Sequence, residues 1–178
     1  TQPKLAQPLY TELVDQSIKN GIKVVAHQQD SDDTARLAKA GVAGFLHGRF
    51  EDEIGEELSL SLAESNTFVI PNLGLSLLRN MTIAEDPLLI ETLPASTLSR
   101  LESRIFPTTD NTMTASNSYD SIQGQLDQLI SNLDPSIRRS FGSAIARGVP
   151  IILGTDAGAL PDHFFGYSGH KELEIFVA

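Results

Sequence analysis

The sequence predicts an α/β fold in which short parallel strands alternate with helices, and three observations predict it. First, four short apolar runs, at 22–26, 42–46, 67–70 and 150–153, are set apart by stretches of helical character. Strands that alternate with helices build right-handed βαβ units and a parallel sheet. Second, the runs are almost wholly apolar rather than alternating, as strands covered on both faces should be. Third, His27 and His47 close the first two runs and Asp156 follows the fourth, while Pro71 stops the third. A parallel α/β sheet builds its sites at that C-terminal edge.

Each element has a local reason. Leu9 to Asn20 reads as a helix, with Leu9, Leu13 and Ile18 near one face and Gly21 as its stop. The first strand follows. Ser31 or Asp32 is expected to cap a second helix that runs to Lys39 or Ala40 and ends at Gly41. After the second strand, Glu51 to Glu64 reads as a helix with acidic residues at its positive N-terminal end. The third strand is followed by a long excursion, 72–119, with short helices expected over Leu75–Arg79, Pro87–Glu91 and Thr97–Ile105 and a polar loop from Pro107 to Ser118. An excursion of this length reads as a substrate lid or a surface insertion. Helices over Ser121–Asn132 and Ser136–Arg147 lead to Gly148 and the fourth strand, and a last helix starts near Gly169. Arg138 and Arg139 are expected to face solvent, and Glu172 and Glu174 to lie on a solvated helix face or in ion pairs.

A closed (β/α)8 barrel takes eight strands, and four are legible. The expectation is therefore a partial TIM barrel over 1–178: about four C-terminal βα units, with the long insertion after the third strand and the partner half N-terminal to Thr1.

Composition narrows the classes of function. With 40% hydrophobic and 20% charged residues the chain reads as soluble and globular, and a net charge of -10 argues against nucleic-acid or anionic-membrane partners. It has no cysteine, so a metal would be held by His, Asp, Glu or a modified Lys. No apolar run approaches the ~20 residues of a membrane span. The chain starts at Thr1 without Met, so a leader is not judged from it, and the compartment stays open with cytoplasm ahead of secretion. Asn80-Met81-Thr82 is a glycosylation tripeptide of a kind that arises by chance.

The ordered motifs carry a resemblance. Val25-Ala26-His27, Phe45-Leu46-His47-Gly48, Gly154-Thr155-Asp156-Ala157-Gly158 and Gly166-Tyr167-Ser168-Gly169-His170-Lys171-Glu172-Leu173-Glu174 follow one another along nearly the whole chain. In that order the set resembles the amidohydrolase superfamily, and within it the imidazolonepropionase-like and prolidase-like enzymes. The resemblance implies metal-dependent hydrolysis of a C–N amide bond in a dipeptide, an N-acyl amino acid or a cyclic amide. It implies a divalent metal, zinc first, as one or two ions, with His27, His47 and Asp156 as ligands. Asp156 would also carry a proton from the water to the leaving amine, with Gly154 and Thr155 setting the turn that presents it. His170 and His163 are candidate substrate contacts, against the plainer reading of cap or packing residues. The family's His-x-His and carboxylated Lys are absent here, where the four His are 27, 47, 163 and 170; both are expected on the missing strands. The expected partners are a small-molecule substrate and the N-terminal half of the barrel, with assembly with a second copy of the chain left open. A mononuclear deaminase of the same superfamily and a metal-free binding protein derived from the barrel are the rival expectations.

Overall fold

The computed structural model describes residues 4–27, 30–47, 54–77, 83–102, 124, 127, 130, 131, 135–158 and 163–177. The chain divides into two units, Thr1–Asn72 with Asp134–Gly154 and Leu73–Leu133 with Thr155–Ala178.

The first unit holds the sheet. Helix α1 (Gln7–Lys19) leads to β1 (Val25–His27), α2 (Ser31–Ala40) to β2 (Gly44–Leu46), and α3 (Glu56–Glu64) to β3 (Phe68–Ile70). All three strands are parallel, in the order β1-β2-β3. The register pairs His27 with Leu46 and Leu46 with Ile70. The predicted fourth strand follows helix Pro135–Ala146, numbered α7 below, and takes the next parallel position. There it makes a single bridge, Val69 with Ile151, held by Val69 N–H to Pro150 O and Ile152 N–H to Val69 O, both 2.9 Å.

The strands are shorter than the apolar runs. Ile22 and Lys23 precede the ladder, which Ala43 N–H opens by donating to Val24 O at 2.8 Å. A run becomes a strand only where a neighbour supplies hydrogen bonds. Beside β1 a cavity of about 570 Å³ is lined by Tyr10, Leu13, Val14, Val25, His27 and Leu37 among others. Val25 is 40% exposed, and at the other edge Ile152 and Leu153 are 43% and 45% exposed. Apolar strand residues therefore stand uncovered at both margins of this sheet, although parallel strands normally bury both faces.

The core of this unit joins Val14, Val42, Phe45, Ile54, Leu62, Val69, Ala144 and Val149. Phe45 and Leu62 are wholly buried, so β2 is the best-covered strand. Burying one such side chain contributes about 1.5–3 kcal/mol. Polar ties hold the helices at fixed heights: Ile54 N–H donates to Ser140 Oγ at 2.9 Å, and Ser59 Oγ lies 3.1 Å from Ser143 Oγ. The cap of α2 is Asp30, not the expected Ser31 or Asp32. Its Oδ1 accepts from Asp33 N–H at 2.7 Å, and Lys4 reaches both Asp30 and Asp33. That N–H and Lys4 together hold the Asp30 carboxyl below the usual range. Gly41, at φ 96°, ends the helix as expected.

Gly44 lies opposite Phe68 on β3, and a Cβ there would stand 2.3 Å from the Phe68 ring. Gly44→Ala is expected to cost about 1–3 kcal/mol through overpacking. Thermal unfolding tests it, and a midpoint equal to the parent's would mean that the ring moves aside freely.

The second unit is helical. Helix α4 (Gly74–Leu77), a 3-10 turn (Ile83–Glu85), α5 (Pro87–Thr92) and α6 (Ala95–Glu102) replace the three short helices expected in the excursion, at shifted ends. Asp86 caps α5, with Oδ1 accepting from Leu88 N–H at 2.9 Å and Pro87 at the first position. The expected loop 107–118 lies outside the described residues, and of the helix expected over 121–132 residues 124, 127, 130 and 131 are described and helical. The last helix, α8 (Tyr167–Val177), begins two residues earlier than the expected Gly169. Among the described residues, no helix is long and apolar enough to cross a membrane.

Candidate functional site

β1 and β2 are neighbours in a parallel ladder, so their C-terminal residues arrive side by side. His27 is the last residue of β1 and His47 follows β2 directly. Their ring centroids are 4.7 Å apart, with the ring planes tilted by 48°. His47 has a positive φ of 56°, which a non-glycine residue adopts at a cost. The turn out of β2 is thus held in the conformation that keeps this imidazole at the strand end.

Asn72 joins them. It follows Pro71 at the end of β3, has a φ of 50° and is 3% exposed. Its Nδ2 lies 3.3 Å from His47 Nδ1. Its Oδ1 is buried with no hydrogen-bond partner among the described residues. Gly154 keeps this corner open, since a Cβ there would stand 2.2 Å from Ile70 Cγ2 and 3.3 Å from Asn72 Oδ1. The requirement at Gly154 is close approach; its φ is not positive. Sequence reasoning passed over Asn72. A signal was present: an Asn directly after the Pro that stops the third run, close to a run end as His47 and Asp156 are to theirs.

In the second unit, Asp156 has a φ of 54° and is exposed. Ala157 N–H donates to Thr155 Oγ1 at 3.1 Å, so Thr155 shapes the turn around Asp156. Gly158 N–H donates to the carbonyl of His163 at 2.9 Å. His163 is 2% exposed, whereas His170 is exposed on α8. Within each unit, and among the described residues, no three His, Asp or Glu side chains gather around one point that could hold a metal ion.

Glu172 corrects the sequence reading. It is not on a solvated face but 1% exposed. Its Oε1 accepts from Leu73 N–H at 2.7 Å and its Oε2 from Gly74 N–H at 2.6 Å. Burial pushes its carboxyl up to about 7, against the two N–H groups that pull it down. Glu174 does form the expected ion pair, with Lys171 at 3.0 Å. Beside them Tyr167 is buried and donates to Asp86 Oδ2 at 3.0 Å, and burial together with Asp86 raises its hydroxyl far above the ordinary value. Spacing held the clue: Ser168, Glu172 and Ile175 fall at i, i+4 and i+7, one face of α8, and all three are buried.

No protein-family model matches the chain, and no curated protein matches it in sequence. Solved structures do match in shape. A Xaa-Pro dipeptidase with methionine bound in its active site aligns with 98% of this chain at 20% identity and a TM-score of 0.51. A prolidase complexed with N-methylphosphonate-L-proline aligns with 97% at 16% identity and a TM-score of 0.50. An uncharacterised protein aligns with 98% at 17% identity and a TM-score of 0.54. The chain is similar in fold to part of a prolidase. It spans about a third of the length of these proteins, 33–34% of each. At such identities the likeness is one of fold.

Proposed function

We propose that this chain is the C-terminal part of a metal-dependent amidohydrolase barrel that cleaves a C–N amide bond, with a dipeptide as the first candidate substrate. The observation that carries the reading is the His27–His47 pair, two imidazoles 4.7 Å apart at the C-terminal ends of adjacent parallel strands. The uncovered margins of the sheet and the coverage of about a third of each fold neighbour support a larger barrel around it. The prolidase and dipeptidase neighbours favour dipeptides over the other amides.

The donor chemistry suits a borderline divalent metal. Neutral imidazole nitrogen is a preferred zinc ligand, and carboxylate completes common sets. His27 and His47 would be two of the ligands and Asp156 a third, with the others on strands of the remaining barrel. When bound, such an ion lowers the pKa of water towards 7 and polarises the scissile carbonyl. Asp156 accepts the proton of the attacking water and passes it to the leaving nitrogen as the C–N bond breaks. His170, exposed on α8, is better placed than the buried His163 to touch a substrate.

Removing metal from the longer protein with a chelator should abolish hydrolysis of a dipeptide panel that includes Xaa-Pro substrates, and added zinc should restore it. His27→Ala combined with His47→Ala should lower the bound metal measured by elemental analysis. Full turnover in metal-free protein would sink the reading. Release of ammonia from an amine substrate, with no peptide cleavage, would turn it into deamination.

A further inference from the structure

We propose that Asn72 is a positioning residue for His47: it engages the Nδ1 side of the imidazole, fixes which ring nitrogen carries the proton, and leaves Nε2 as the nitrogen offered to a metal ion. The proposal rests on the functional reading above for the metal, and on geometry for the rest.

Two asparagines in this unit make the comparison. Asn66 and Asn72 share a left-handed backbone, at φ 53° and 50°, which Asn tolerates better than most residues. Asn66 sits in an exposed turn, so the backbone alone accounts for it. Asn72 is buried at 3% exposure, and its carboxamide faces His47 Nδ1 at 3.3 Å. A backbone requirement does not call for a polar side chain to be buried there, because Gly meets it without desolvating an amide.

The chemistry follows from the amide. A neutral imidazole has one N–H and one acceptor nitrogen, and the group that meets one nitrogen decides the state of the other. A half-turn of the carboxamide exchanges Nδ2 and Oδ1 as the atom facing Nδ1. With Nδ2 facing, it donates and the ring proton sits on Nε2. With Oδ1 facing, it accepts from Nδ1–H and the ring lone pair sits on Nε2, the nitrogen that would meet an ion. Oδ1 now has no hydrogen-bond partner among the described residues, so turning it towards His47 breaks no bond of its own. Gly154 borders that oxygen without a side chain to obstruct it. Binding of an ion at Nε2 and rotation of the Asn72 amide are therefore one coupled event.

The test uses the longer protein with two variants that keep the left-handed backbone. Asn72→Gly removes the amide, and Asn72→Asp keeps an acceptor for Nδ1–H. Zinc affinity is expected to fall about 10–100-fold in Asn72→Gly, the range for losing a ligand's supporting hydrogen bond, and to stay within a few-fold of the parent in Asn72→Asp. Nitrogen-15 spectra of the His47 ring at about pH 8, where imidazole is neutral, should show one tautomer in the metal-free parent and a mixture in Asn72→Gly. With zinc, the parent should show Nδ1–H and a coordinated Nε2. Identical His47 nitrogen signals in metal-free parent and a folded Asn72→Gly would overturn the proposal, as would unchanged zinc affinity in that variant. A parent that takes up no metal defeats the functional reading instead, and the tautomer comparison still decides the role of Asn72.

Discussion

On the function proposed above, replacing Asp156 by Asn is expected to lower amide turnover by about 10²–10⁴-fold, the usual contribution of a positioned general base, while the thermal midpoint stays near the parent's. The choice of Asn follows from the backbone. Asp156 has a φ of 54°, and Asn is the neutral side chain that adopts this region most readily. Ala would add backbone strain to the loss of the carboxylate and confuse the two effects. Asn keeps the shape and the turn that Thr155 Oγ1 makes with Ala157 N–H, and removes the negative charge, with it the ability to take a proton and the carboxylate donor for an ion. Turnover within a few-fold of the parent would take Asp156 out of the mechanism. A midpoint that drops along with activity would assign it a structural part instead.

Stability should fall as pH rises through the titration of Glu172. Its carboxyl is buried and raised from 4.5 to about 7, so the folded chain binds this proton more tightly than the unfolded one between those values. Linkage then gives the sign. The folded state gains from the proton fully below about pH 4.5, and that gain is lost as pH rises through about 7, with a total on the order of a few kcal/mol. Glu172→Gln should flatten this part of the profile. Gln also turns an NH2 towards one of the N–H groups of Leu73 and Gly74, at a cost on the order of 1 kcal/mol at low pH. Above pH 7 the variant should regain ground on the parent. Urea midpoints for both proteins across pH 4.5–8 measure the difference. Parallel curves would show that Glu172 does not titrate in this window.

Much of the scaffold was legible in the sequence because it is written in local chemistry. Apolar runs marked the strands, and Gly41 marked the end of α2 because a left-handed residue closes a helix most cheaply as Gly. His27 and His47 were found by their place at run ends, since neighbouring parallel strands must deliver their last residues to one edge. The lengths of the strands were not legible: Ile22 belongs to an apolar run but has no ladder partner, and the fourth run is reduced to the bridge at Ile151. The sequence marked Asn72 and Glu172 only by position and spacing; the partners they meet were decided by the tertiary structure. Asn72 meets a ring 25 residues earlier only because the β2–β3 register sets the two turns side by side. Glu172 lies 99 and 98 residues from the amides it accepts, and its neighbours Lys171 and Glu174 read as an ordinary charged helix surface. Periodicity assigns a residue to a face, but whether that face meets water or a buried backbone turn depends on packing between distant segments, which no local pattern encodes.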